Sequence, residues 1–304
     1  MDNHMTSNRK ISLPERAALY MVGWAFSFSL AMIGNKWVQG TIPIPLILWA
    51  RCGFALLFLM PFLSYEKQVL RSKNVKMQLL RGCLTSGAMI CTYMAYQNLP
   101  THTAAILGTS GVLFTFILSQ ALLRESIHWT RWGLLALGYM GVLIILEPMD
   151  LFTHSKGLYK GLALLGNLMG SCAVLSARVL ALHKESTSTT LFLGTAIPFA
   201  VYTLLGPFFQ VYTTGSFFPI GFSTRWGILL SIGGLGALSQ FFYFSALRLA
   251  PASFAAPFEY LRLCIFIPLG WCLFHEIPPI SFYMGALLIL ASAFFLVRQK
   301  HAFA

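Results

Sequence analysis

Acidic side chains are scarce in this chain. Of its 304 residues only nine are Asp or Glu, the two aspartates being Asp2 and Asp150, and charged residues of both signs make up 10%. A water-soluble domain carries about 25% charged residues. The missing charge, together with 57% hydrophobic residues and a mean hydropathy of +0.71, excludes a soluble globular protein and points to an integral membrane protein. Two aspartates cannot supply an aspartate-rich lipid transferase. HEIPP at His275 lacks the second histidine of HExxH, and GGLGAL at Gly233 sits in an apolar run with no strand before it. Neither metalloprotease nor dinucleotide chemistry is supported, and no enzyme activity, metal or cofactor is expected.

Cysteine is equally uninformative as chemistry. All six (Cys52, Cys83, Cys91, Cys172, Cys264 and Cys272) fall in apolar stretches without CxxC spacing, so they are read as small packing residues. The first sixteen residues, MDNHMTSNRKISLPER, lead straight into a full-length apolar segment, and no removable signal peptide is expected.

A bilayer-spanning helix needs roughly 20 mostly apolar residues. Ten such segments are present, at about 17–36, 42–63, 79–97, 102–123, 131–148, 158–182, 189–211, 226–247, 252–274 and 279–297. The +12 net charge resides in the loops between them. With the amino terminus inside, fifteen Lys and Arg lie on the cytoplasmic side, among them Arg9, Lys10, Lys73, Lys76, Arg124, Arg248 and Lys300. The other side holds four: Lys36, Lys156, Lys160 and Arg225. Both termini are therefore expected in the cytoplasm, at the inner membrane in a bacterial host. The partners expected are the lipid bilayer and a small molecule, with no nucleic acid; a homodimer is compatible with this reading.

The halves resemble each other. Ala95–Glu125 laid over Ala246–Glu276, a shift of 151 without gaps, matches Ala95/Ala246, Pro100/Pro251, Ala104/Ala255, Ala105/Ala256, Leu118/Leu269, Leu122/Leu273 and Glu125/Glu276. More faintly, Gly23, Ser27 and Gly34 align with Gly166, Gly170 and Ala177, a small-residue face suited to close helix packing. Five spans per half is odd, so the second half enters the membrane upside down. The fold expected is all-α, ten transmembrane helices as two inverted five-helix repeats, 17–148 and 158–298, after a cytoplasmic tail at 1–16, with a connecting loop at 149–157 and a C-terminal tail at 299–304. Such repeats recur in secondary transporters with a midplane site.

The LRG at Leu80 to Gly82, the NLP-T-TAA turn at Asn98 to Ala105, the LLRE and LFHE endings and the WTRWGLLALGYMGVLIIL segment resemble the drug/metabolite transporter superfamily, EamA type. PFEYLRL is similar to a segment in the subset that includes S-adenosylmethionine and other metabolite carriers. The resemblance implies transport by alternating access. One departure stands out: the small four-helix multidrug members carry a glutamate in their first helix, and WAFSFSLAMIGNKW has none.

Within the spans the charges are few enough to name. A lone charge at helix centre costs about 2.5–3.5 kcal/mol to insert. Glu259 and Arg262, three residues apart in PASFAAPFEYLRLCIFIPLG, can share a helix face and pair. An apolar pair would cost less, so the two are read as substrate-binding, against the plainer alternative of an interhelical lock. Their repeat equivalents are Gly108 and Gly111 of GTSG, which with Ser110 offer space and hydroxyls for a ligand, or else tight packing. Arg51 has no acid in its own span and suits a ligand carboxylate. Tyr260, Trp24 and Tyr93, with Tyr96, are candidates for stacking on a ring or cation, though most aromatics pack in the core or face lipid. Weaker candidates are Asn35, Lys36, Asn167, Arg178 and Gln240, with snorkelling the default for Lys36 and Arg178. Glu125 and Glu276 are read as helix-end residues.

These features favour a transporter of a small polar or zwitterionic metabolite, such as an amino acid or S-adenosylmethionine. A broad-specificity drug exporter would go with a more apolar cavity. A receptor or scaffold would account for ten spans but not for the repeat.

Overall fold

The computed structural model describes residues 13–38, 42, 44–65, 72, 74–99, 101–123, 128–146, 157–211, 224–274 and 280–298. Each of the ten expected spans is helical within them, and no strand occurs among the described residues. The helices are α1 (Leu13–Val38), α2 (Ile44–Tyr65), α3 (Val75–Asn98), α4 (Thr101–Leu123), α5 (Trp129–Leu146), α6 (Gly157–Leu182), α7 (Thr187–Val211) and α8 (Thr224–Leu249), then α9 (Ala252–Ala255), α10 (Leu261–Phe274) and α11 (Ile280–Arg298). Among the described residues five stretches are long and apolar enough to cross a membrane: Leu13–Asn35, Gly157–Leu182, Thr187–Leu205, Trp226–Leu249 and Ala252–Leu273. Three shorter apolar helices are Ile44–Met60, Leu107–Leu123 and Ile280–Leu296.

The ninth span departs from the expected single helix. Between α9 and α10 lies a 3₁₀ turn, Ala256–Tyr260, with Pro257 in its first positions. Proline has no N–H and its ring presses on the carbonyl four residues back, so an α-helix cannot run unchanged through Pro257. Glu259 lies in this tightened turn and Arg262 in the helix after it. Ala252 to Phe258 are all buried, and this broken segment touches α1, α4, α5, α6, α8 and α11, which makes it the centre of the bundle.

Packing around it follows small residues. α1 lies along α8, where a Cβ on Gly23 would stand 3.1 Å from the Phe242 ring and one on Gly34 2.7 Å from Ile232. α6 lies along α3, where a Cβ on Gly166 would meet Thr92 Oγ1 at 2.7 Å and the Ala88 carbonyl at 3.0 Å. The small-residue faces of α1 and α6 are thus packing faces. α5 and α11 cross at Gly141, α2 packs on both α7 and α8, α3 on α7, α4 on α6, and α1 on α10.

One end of the bundle is tied by polar contacts. Arg81 donates to the Thr190 carbonyl at 2.7 Å, with its guanidinium 4.2 Å from the Phe244 ring centroid. Glu185 Oε1 accepts from Ser72 Oγ and the Asn74 N–H, each at 3.1 Å, and Arg248 donates to Thr187 Oγ1 at 2.7 Å. Arg178, expected to snorkel, turns inward and donates through Nη1 to the Leu247 carbonyl of α8, an acceptor that offsets part of the cost of its partial burial.

Candidate functional site

The break at Pro257 decides which way neighbouring side chains point. A 3₁₀ helix turns 120° per residue, so Glu259 and Tyr260 leave the chain on different sides. Glu259 is partly buried and its Oε1 accepts a hydrogen bond from the Tyr243 hydroxyl of α8 at 2.7 Å. Tyr260 is fully buried against α5: a Cβ on Gly138 would stand 2.8 Å from its ring, and the Tyr139 ring is 6.4 Å away. Its hydroxyl has no hydrogen-bond partner among the described residues.

Glu259 and Arg262 do not form the ion pair that their spacing allows. Arg262 Nη2 donates to the Gly108 carbonyl of α4 at 3.2 Å, and its guanidinium lies 5.6 Å from the Phe28 ring centroid, within cation–π range. Its own carbonyl accepts from Ser29 Oγ of α1 at 3.1 Å. The arginine bridges two other helices, and the carboxyl group is held by a third.

Aromatic rings close the circuit. Trp24 stacks on Phe28, centroids 5.3 Å apart and planes at 27°, and lies 5.5 Å from Tyr243. Trp24, Phe28, Tyr243, Glu259, Arg262 and the Gly108 carbonyl thus form one continuous group drawn from α1, α4, α8, the 3₁₀ turn and α10. A carboxyl group, a guanidinium and ring faces side by side can receive a ligand bearing both charges and a planar group.

Arg51 is held elsewhere. It is buried on α2, and Nη1 donates to the Tyr93 hydroxyl of α3 at 3.1 Å. On its other side, a Cβ on Gly236 of α8 would lie 3.4 Å from Nε. Ser110, two residues after Gly108, faces α6: its hydroxyl donates to the Leu107 carbonyl at 2.6 Å and accepts from Asn167 Nδ2 at 3.4 Å. Ser171 reaches the Gly111 carbonyl at 2.9 Å, and a Cβ on Gly111 would be in ordinary contact with Asn167. At Gly111 the GTSG stretch is therefore packed rather than open.

The structure brings together Trp24, Gly108, Glu259 and Arg262, sets Arg51 with Tyr93 as a second group, and turns Tyr260 and Ser110 elsewhere. Phe28 and Tyr243 were missed by sequence reasoning. Phe28 follows Trp24 by four residues and so shares its helix face, but nothing marks either among 26 phenylalanines and 11 tyrosines. Glu125, Glu276 and the side chains of Lys36 and Tyr96 lie outside the described residues.

Comparison with known proteins follows the same lines. Residues 15–147 match the EamA-like transporter family. The chain is similar to the S-adenosylmethionine uptake transporter of Rickettsia felis, 30% identical over 251 residues that cover 82% of this chain and 81% of that protein. It is also similar to the pseudopaline exporter of Pseudomonas aeruginosa, 25% identical over 95% of this chain and 99% of that one. A protein of known crystal structure shares the fold at a TM-score of 0.77, covering 94% of this chain and 97% of that chain at 14% identity.

Proposed function

The chain belongs to the EamA-like transporter family, and on that premise we propose that it is a secondary transporter carrying a small polar or zwitterionic metabolite by alternating access, an amino-acid derivative such as S-adenosylmethionine being the leading candidate. It is a multi-pass membrane protein and a transporter rather than an enzyme. The observation that carries the substrate reading is that Glu259 and Arg262 are each hydrogen-bonded to a different helix and not to each other. Charged groups kept within membrane spans and not bonded to each other remain available to a ligand of mixed charge.

The broken ninth span supports the same reading. Irregular backbone at membrane depth is tolerated where it is buried in protein or lines a cavity, and transporters build midplane sites from such interrupted helices. Trp24 and Phe28 add a stacking surface for a ring. Arg51 with Tyr93 supplies an anion-binding group, while Tyr260 and Ser110 serve as packing.

Two inverted repeats, 17–148 and 158–298, are supported by the packing pattern. Exchanging α1 with α6, α2 with α7, α3 with α8, α4 with α9–α10 and α5 with α11 turns the α1–α8 contact into α6–α3. The same exchange turns α4–α6 into α10–α1 and α2–α8 into α7–α3, and returns α2–α7 and α5–α11 to themselves. Both termini are placed in the cytoplasm on the distribution of Lys and Arg.

A thermal-shift screen of the purified protein tests the substrate class. A ligand that binds only the folded state raises Tm by mass action. S-adenosylmethionine or another polar metabolite is expected to stabilise the wild type but not Glu259→Gln. Stabilisation by assorted hydrophobic cations alone would contradict the reading in favour of a broad drug exporter.

A further inference from the structure

The two polar groups of the site share one stripe of α8. Gly236 faces Arg51, and Tyr243 holds Glu259 and packs on Trp24. Seven residues separate them, so they lie on nearly the same face of the helix, about 10 Å apart along its axis. Gln240 falls between the two on that face. It is partly buried and makes no hydrogen bond to another described residue. The opposite side of the helix is marked by Leu238 and Phe241, 44% and 40% exposed, so the accessible part of Gln240 looks into the bundle and not toward lipid. A primary amide in that position, bonded to none of the described residues, is open to water or a ligand.

We infer that this stripe is a ruler: the substrate is two-headed, with a carboxylate at Arg51, a ring or cationic group at Trp24, Phe28 and Glu259, and a linker whose polar atoms meet Gln240. This deepens the transporter reading above and rests on it. Arg51 spends one guanidinium nitrogen on the Tyr93 hydroxyl and turns Nε toward the Gly236 face, leaving planar N–H donors of the kind that fit a carboxylate. A side chain at Gly236 would enter the space beside Nε, since its Cβ alone would lie in contact at 3.4 Å. At the other end the Trp24–Phe28 stack offers a ring face, and the Glu259 carboxyl group lies beside it for a cationic centre. A compound with only one head can satisfy one group and leaves the other solvated.

The test is equilibrium binding of S-adenosylmethionine, its decarboxylated form and adenosine to the purified full-length protein. Wild type is expected to bind S-adenosylmethionine at least about tenfold more tightly than the decarboxylated form, which corresponds to about 1.4 kcal/mol. Arg51→Gln should weaken S-adenosylmethionine by a similar factor and leave the decarboxylated form unchanged, and Gln240→Leu should weaken S-adenosylmethionine more than adenosine. Equal affinity of the wild type for the carboxylated and decarboxylated compounds overturns the two-headed site while leaving transport of a polar metabolite intact. Failure of the wild type to bind any of the three overturns S-adenosylmethionine as the two-headed substrate, and with it the inference, while leaving transport of another polar metabolite intact.

Discussion

Tyr243 on α8 donates its hydroxyl hydrogen to Glu259 Oε1 at 2.7 Å, so the carboxyl group of the broken ninth span is anchored to a neighbouring helix and not to Arg262. This contact ties α8 to the 3₁₀ turn that carries Glu259.

Tyr243→Phe removes that donor and nothing else of the ring. Hydrogen bonds to charged groups contribute about 1.5–3 kcal/mol, and the aromatic contact with Trp24 is retained. Thermal unfolding should therefore fall only modestly, while affinity for a polar substrate falls at least about tenfold. Unchanged affinity in a folded variant would mean that Glu259 needs no orientation by α8.

Gly141→Ala is expected to destabilise the protein through the α5–α11 crossing. The added Cβ would stand 2.6 Å from the Gly285 carbonyl oxygen and 3.0 Å from Ile289. Because one of these is backbone, relief requires the helices to separate, and overpacking of this kind costs about 1–3 kcal/mol. Denaturation in detergent measures it, and a Tm equal to wild type would contradict the crossing.

Arg81→Met should loosen the polar end of the bundle. The side chain would keep its packing against Phe244 but leave the Thr190 carbonyl without this donor, at a cost of about 1–3 kcal/mol. Arg81→Lys should recover only part of it, because an ammonium lacks the planar fork. Full stability of the Met variant would show that the contact does not hold α3 to α7.

The ten helical spans were legible because a bilayer imposes length and apolarity on each of them, and the chain has too little charge for any other reading. The broken span was not, although Pro257 was in plain view: proline in a membrane helix is tolerated with a kink or without. The spacing of Glu259 and Arg262 pointed to a pair, but spacing alone cannot rank a neighbour on the same chain segment against a carbonyl on α4 or a hydroxyl on α8. Gly108 entered the site through its carbonyl, an atom every residue has and no sequence pattern marks. Tyr260 was judged by its neighbour, and the 120° turn of the 3₁₀ segment sends it to a different side. Gln240 was visible only as one more polar residue until Gly236 and Tyr243 placed it on α8 between Arg51 and Glu259.

Uptake of labelled S-adenosylmethionine into vesicles containing the purified protein, wild type against Glu259→Gln, tests the central claim most directly. Saturable uptake by the wild type, reduced at least about tenfold in the variant, is the expected result. Uptake no greater than in empty vesicles for this and other polar metabolites, with hydrophobic cations carried by both proteins alike, would contradict it.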